Sequence, residues 1–204
     1  MSRPIAVLGG TFDPPHIGHL VLGECVAAQF DCEMVLFVPA GDPYRKSGTA
    51  TAENDRAPVS GRTVTPAELR LRMAELAVAD NSRFRIDARE VRREGPSYTV
   101  DTLRELRAEG CKDLVLVLGS DAIADLPNWR EPGEILRMAR VVVANKEPAK
   151  GIEGYESVDM PLLRISSSEI RQRAAQGKPI RYLVPDRVGE FIETHGLYRR
   201  SVAG

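Results

Sequence analysis

The chain has 204 residues, 43% of them hydrophobic and 28% charged, and 28 basic against 29 acidic side chains leave a net charge of -1. That size and composition suit one globular domain, spanning 1–204, with a full core. The even charge argues against a protein whose main task is to grip tRNA or DNA, and no apolar run approaches the ~20 residues of a membrane helix.

The opening MSRPIAVLGG has only a short apolar run before its glycines, so it does not read as a signal peptide. Residues 5–8 (IAVL), stopped by Gly9-Gly10, read as a buried strand. Residues 18–30 read as a helix with Leu20, Cys25, Val26 and Phe30 on its buried stripe, and 34–38 (MVLFV) as the next strand. The opening is therefore a βαβ unit. Residues 40–64 are poor in large apolar side chains and read as a long loop, a candidate lid. Thr65-Pro66-Ala67-Glu68 announces a helix, with Thr65 as cap, Pro66 in the first turn and Glu68 closing a capping box.

Residues 84–87 form a short strand pattern, and Ser97 or Tyr98 opens a helix ending near Gly110. Residues 114–118 (LVLVL) are a third buried strand, stopped by Gly119-Ser120-Asp121. A helical stretch at 134–138 precedes a strand at 141–144. Ser166-Ser167-Ser168-Glu169 repeats the capping-box pattern for a helix that Gly177 ends, and 185–194 is the last helix, with Gly196 past its end. Wholly apolar strands alternating with helices predict an α/β, doubly wound parallel sheet of Rossmann type, with a small helical C-terminal part. In such sheets ligands lie beyond the C-terminal strand ends, here the loops after Leu8, Val38 and Leu118.

The three cysteines, Cys25, Cys32 and Cys111, have no CxxC or metal spacing and read as reduced packing thiols of a cytoplasmic protein. His195, at the end of the last helix, suits a partner of the C-terminal dipole.

The first loop carries the chemistry. Gly9 and Gly10 permit close backbone approach to a ligand, yet the spacing is not the GxGxxG of dinucleotide binders. His16 and His19, three apart around Gly18, can project to one side of a helix N-terminus, where free N–H groups favour an anion. Two imidazoles there suit a phosphate chain. Metal ligation is the weaker alternative, because no third ligand lies nearby in sequence.

The block GGTFDPPHIGHL resembles the nucleotidyltransferase superfamily with the (H/T)xGH signature. Class I aminoacyl-tRNA synthetases share HIGH, but the KMSKS-like loop and anticodon-binding portion of a synthetase are missing. Over nearly its whole length the chain is similar to the bacterial nicotinate-nucleotide adenylyltransferase family, through that block and VPAGDPYRK, GPSYTVDTL, LGSDAIADLPNW and ISSSEIRQR with YLVPDRV. The resemblance implies adenylyl transfer from ATP to nicotinate mononucleotide, giving deamido-NAD and pyrophosphate. It implies Mg²⁺ held through the ATP phosphates and no dedicated metal site, no nucleic-acid partner, no membrane, and a homo-oligomer. A related alternative is pantetheine-phosphate adenylyltransferase, which shares the first block; a non-catalytic nucleotide-binding module is a third.

Residue by residue, the resemblance implies that Gly9, Gly10 and Thr11 lie along ATP and that His16 and His19 bind its phosphates. Lys46, or Arg45 beside it, reaches phosphate; GDPYRK stands where the family commonly has a PPHK-like stretch. Gly119 and Asp121 hold the adenosine ribose. Ser166, Ser167 and Arg171 form a second phosphate cradle, with ISSS in place of the commoner ISST, and Arg171 joins the histidines as catalytic. Ser97, Tyr98 and Thr99 at a helix start receive the nicotinate carboxylate, with a plain helix cap as the alternative for Ser97. Trp129, the only tryptophan, stacks on the pyridine ring or simply packs. The segment 47–64 is longer than the family pattern.

Overall fold

The structure is a computed structural model, which describes residues 3–43, 64–144 and 153–199. In chain order its elements are β1 (Ile5–Gly10), α1 (Ile17–Gln29), β2 (Met34–Pro39), α2 (Ala67–Val78), β3 (Phe84–Ile86), α3 (Arg89–Arg92) and α4 (Thr99–Ala108). There follow β4 (Leu114–Gly119), α5 (Ser120–Asp125), a 3₁₀ turn (Leu126–Asn128), α6 (Pro132–Met138), β5 (Arg140–Ala144), β6 (Glu156–Ser157), α7 (Ser167–Ala175) and α8 (Asp186–Thr194).

The six strands form one sheet in the order β3-β2-β1-β4-β5-β6, and every pairing is parallel. This is the doubly wound arrangement expected from the apolar runs. Alternate strand residues feed two cores. Ala6, Leu8, Val35, Phe37, Val115, Val117 and Val142 pack with α1 through Leu22, Val26 and Ala27. Val7, Leu36, Leu116, Leu118, Val141 and Val143 pack on the other face with α4 through Val100, Leu103 and Leu106. Burial on both faces explains why these strands read as unbroken hydrophobic runs. A third, separate cluster (Met73, Ile170, Ile180, Val184, Val188 and Ile192) joins α2, α7 and α8, and forms the helical C-terminal part.

Several local expectations change. Pro66, with extended backbone, is the N-cap of α2, and its carbonyl accepts from the Leu69 and Arg70 N–H groups; Thr65 makes no cap bond. Thr65 contributes its carbonyl instead, to Arg70 (2.8 Å). In α1 the fully buried positions are Leu22, Gly23, Val26 and Ala27, while Leu20 and Cys25 are only partly buried against the core. The SDAIAD segment is helical, not a plain loop, and β6 adds two residues with no apolar signal. At α7 the Ser166 hydroxyl accepts from the Glu169 N–H (3.2 Å), so the expected cap forms. His195 is the C-cap of α8, its ring stacked on Phe191 and its Nδ1 3.0 Å from the Phe191 carbonyl. All three cysteines are free thiols, with Cys32 buried.

Candidate active site

The strand order reverses between β1 and β4, the switch point beyond whose strand ends ligands bind in sheets of this kind. Gly9 and Gly10 close β1 beside Val38 and Pro39 of β2, and Gly119 closes β4. An added Cβ on Gly9 would meet nothing within 4 Å, so its backbone stands open to a ligand. Gly10 stands in a tighter place: the Phe12 ring lies 3.1 Å from where its Cβ would be, so a side chain there would press on the ring. Phe12 itself has a positive φ of 48°, which turns the chain sharply out of β1.

That turn delivers the histidines. His16 is the N-cap residue of α1, with its backbone N–H donating to His19 Nδ1 (3.1 Å). The two rings stack with centroids 3.7 Å apart and planes 25° from parallel, and Phe12 meets the His19 ring edge-on at 5.0 Å. Because His19 Nδ1 accepts a hydrogen bond, the proton of the neutral ring sits on Nε2, which makes that atom a donor. His16 is buried, its Nδ1 has no hydrogen-bond partner among the described residues, and desolvation lowers its pKa to about 4. It is therefore neutral near pH 7, and two neutral rings stack without charge repulsion. Gly18 makes room for them: its Cβ would lie 3.0 Å from His16 Nδ1. No group of three His, Cys, Asp or Glu side chains able to share a metal ion exists among the described residues. Neutral imidazoles at a helix N-terminus are able to donate N–H groups to an anion.

The loop between β1 and α1 is held from the C-terminal part. Arg171 Nη1 donates to the Asp13 carbonyl (2.5 Å) and its Nη2 to Ser168 Oγ (2.9 Å). Ser167 Oγ donates to the Pro14 carbonyl (2.8 Å), and the Ile17 N–H to the Leu183 carbonyl (3.0 Å). The structure thus brings Ser167 and Arg171 to the histidine loop, with Ser166 next to Ser167 in the chain. The Ser167 proton is committed to this tether, and the Ser166 oxygen accepts the cap bond.

Asp121 is exposed in the first turn of α5, just past Gly119. On the other side of β1, Ser97 Oγ accepts from the Gly41 N–H (3.0 Å), so its oxygen joins two loops and does not cap α4. Tyr98 is the N-cap residue of α4, and Thr99 its first residue; no side chain caps this helix. Trp129 is half-buried, its Nε1–H donating to Asp125 Oδ2 (3.1 Å). The next residue, Arg130, places its guanidinium 4.9 Å from the centre of the Tyr98 ring. Trp129 and the start of α4 are therefore neighbours. Lys46 and Arg45 lie outside the described residues.

Sequence reasoning missed Arg70, a buried guanidinium on α2, which looked like any charged helix residue. Its acceptors are three main-chain carbonyls, for which no sequence signal exists. It also missed Glu90, a carboxyl buried on α3 whose pKa desolvation raises and whose Oε1 accepts from the Thr102 hydroxyl (2.6 Å).

The cytidylyltransferase-like family matches residues 7–173. A probable nicotinate-nucleotide adenylyltransferase of Roseiflexus sp. (strain RS-1) is 44% identical, over 97% of this chain and 99% of the relative. One from Acidothermus cellulolyticus is 41% identical, over 98% and 96%. Among solved structures, a Plasmodium falciparum nicotinic acid mononucleotide adenylyltransferase complexed with NaAD superposes with a TM-score of 0.71, over 96% of this chain and 97% of that one; at 19% identity this speaks to the fold. With most of its length matched and its relatives alike end to end, the chain belongs to the cytidylyltransferase-like family.

Proposed function

We propose that this protein transfers the adenylyl group of ATP to nicotinate mononucleotide, giving deamido-NAD and pyrophosphate. The observation that carries the reading is the stacked His16–His19 pair, at the N-terminus of α1 and beside the open Gly9 backbone. The names of the relatives specify the acceptor. In the reaction an oxygen of the mononucleotide 5′-phosphate attacks the α-phosphorus of ATP as the bond to the β-phosphate oxygen breaks. No covalent enzyme intermediate is needed.

The residues position and stabilise. Gly9, Gly10 and Thr11 lie along the nucleotide. His19 Nε2–H and neutral His16 face the phosphates, where donors fixed in advance act on developing charge. The N-terminus of α7, with Ser166, Ser167 and Arg171, approaches the same phosphates from the far side. Gly119 and Asp121 take the adenosine ribose, the carboxylate accepting from its hydroxyls. Tyr98 and Thr99 at the start of α4 receive the nicotinate carboxylate, with Ser97 shaping the turn before them, and Trp129 faces the pyridine ring. Mg²⁺ carried on the ATP phosphates would supply charge neutralisation there, while the histidine loop and the N-terminus of α7 would orient the phosphates. The reaction belongs in the cytoplasm, in keeping with three free thiols.

The test is a single assay. With ATP and Mg²⁺ present, nicotinate mononucleotide, nicotinamide mononucleotide and phosphopantetheine are offered in turn and pyrophosphate is measured. The acid mononucleotide is expected to be used best; equal efficiency with the amide would refute the carboxylate site, and preference for phosphopantetheine would refute the acceptor.

A further inference from the structure

Arg70 is 1% exposed, and its three nitrogens each hold a main-chain carbonyl at 2.8 Å: Nε that of Thr65, Nη1 that of Thr11, and Nη2 that of Gly41. These carbonyls belong to different segments. Thr11 follows β1, Gly41 follows β2, and Thr65 precedes α2. Burying a guanidinium is costly unless all its donors are met, and its rigid fork fixes the directions of those it meets. Desolvation lowers the pKa of this group, with Asp13 and Asp42 as the nearby charges that favour its protonated form.

The network continues through Gly41. Its N–H donates to Ser97 Oγ (3.0 Å), and the Ser97 N–H donates to the Asp42 carbonyl (3.3 Å). Contact is so close that a Cβ on Gly41 would lie 2.0 Å from the Glu90 carbonyl oxygen. A continuous path thus runs from Thr11, beside the adenylate side, through Arg70 and Gly41 to Ser97, at the turn into α4. We propose that Arg70 is a positioning residue that fixes the separation of the two substrate halves, through the Thr11–Arg70–Gly41–Ser97 joint. This rests on the adenylyl-transfer reading, in which ATP lies along Thr11 and the mononucleotide along the start of α4. In-line transfer needs the attacking oxygen and the α-phosphorus brought together, and a misplacement of about 1 Å costs on the order of a hundredfold in rate.

The test uses the full chain as Arg70→Lys and Gly41→Ala. Lysine keeps the charge but cannot span three carbonyls in the guanidinium's geometry. The expected result is a fall in kcat of about a hundredfold, with the Kd for ATP alone and for nicotinate mononucleotide alone each within about threefold of wild type. Equal losses in the two binary affinities and in kcat, or an unchanged kcat in both variants, would overturn the proposal. So would loss of cooperative melting in both, which would make the joint a matter of folding alone. Hydrogen exchange provides an arm independent of turnover: the Gly41 amide should exchange about tenfold faster in Arg70→Lys, with β1 and β4 amides unchanged. If wild type itself releases no pyrophosphate from this substrate pair, the adenylyl-transfer reading fails, and the exchange arm alone decides whether the joint exists.

Discussion

Tyr198 donates its hydroxyl to Asp13 Oδ1 at 2.8 Å, across 185 residues of sequence. Asp13 is 2% exposed, in the loop that delivers the histidines. The bond ties the segment after α8 to the loop between β1 and α1. Tyr198→Phe removes a donor from a buried carboxylate, which costs about 1.5–3 kcal/mol. A lowered urea midpoint with unchanged slope, and a weaker ATP affinity, are the expected results. An unaltered midpoint would mean that the bond holds nothing.

The histidine pair should be sensitive to its glycine. If the pair gives N–H groups to phosphate as proposed, His16→Ala or His19→Ala should lower kcat by about two orders of magnitude. Gly18→Ala leaves both rings in place, but its methyl would sit 3.0 Å from His16 Nδ1 and 3.1 Å from Cε1. The His16 ring must give by a few tenths of an ångström, which disturbs the stack. We expect a fall in kcat of at least about tenfold in Gly18→Ala, with a smaller change in the melting point than either histidine variant shows. Steady-state kinetics beside thermal melting separate the two effects.

Burial of His16 gives stability a pH dependence. Its pKa is lowered from 6.5 to about 4 on folding, so between those values the unfolded chain binds more protons. Stability from this group is fully present above pH 6.5 and is lost as pH falls toward 4, by up to about 3 kcal/mol. Denaturant unfolding of wild type and His16→Gln from pH 7 to 4 should show the steeper decline in wild type; parallel curves would contradict it.

Trp129 provides a probe of the acceptor side. Trp129→Ala should weaken nicotinate mononucleotide by about tenfold while ATP binding stays near wild type, because a stacked ring contributes about 0.5–1.5 kcal/mol beyond its burial. Titration calorimetry with each substrate distinguishes this from a selective loss of ATP, which would remove the stacking role.

What could be read in the sequence follows from how directly a residue signals its own environment. The strands were legible because β1, β2, β4 and β5 are covered on both faces, so each is apolar at every core position. Gly9-Gly10 and the two histidines were legible because their residue types are rare in combination. Helix α5 was hidden, since Gly119, Ser120 and Asp121 are turn formers and Pro127 follows closely. Strand β6 has only Glu156 and Ser157, added to the sheet edge by backbone bonds that any side chain permits. Arg70, Gly41 and Tyr198 were silent for a common reason: each acts on a partner remote in sequence, and two of them act on main-chain atoms.

The bracing of the β1–α1 loop by α7, Leu183 and Tyr198 has a consequence for synthesis. The sheet is encoded by the first 157 residues, and its strands can pair before α7 and α8 leave the ribosome. Arg70 can hold the Thr11 carbonyl early, whereas the bonds from Ser167, Arg171 and Tyr198 to Pro14 and Asp13 wait for the C-terminal segment to emerge. The six strands can thus pair before the loop bearing the histidines has all its braces, and a chain shortened ahead of α7 would keep the strands but lose the bonds from Ser167, Arg171 and Tyr198.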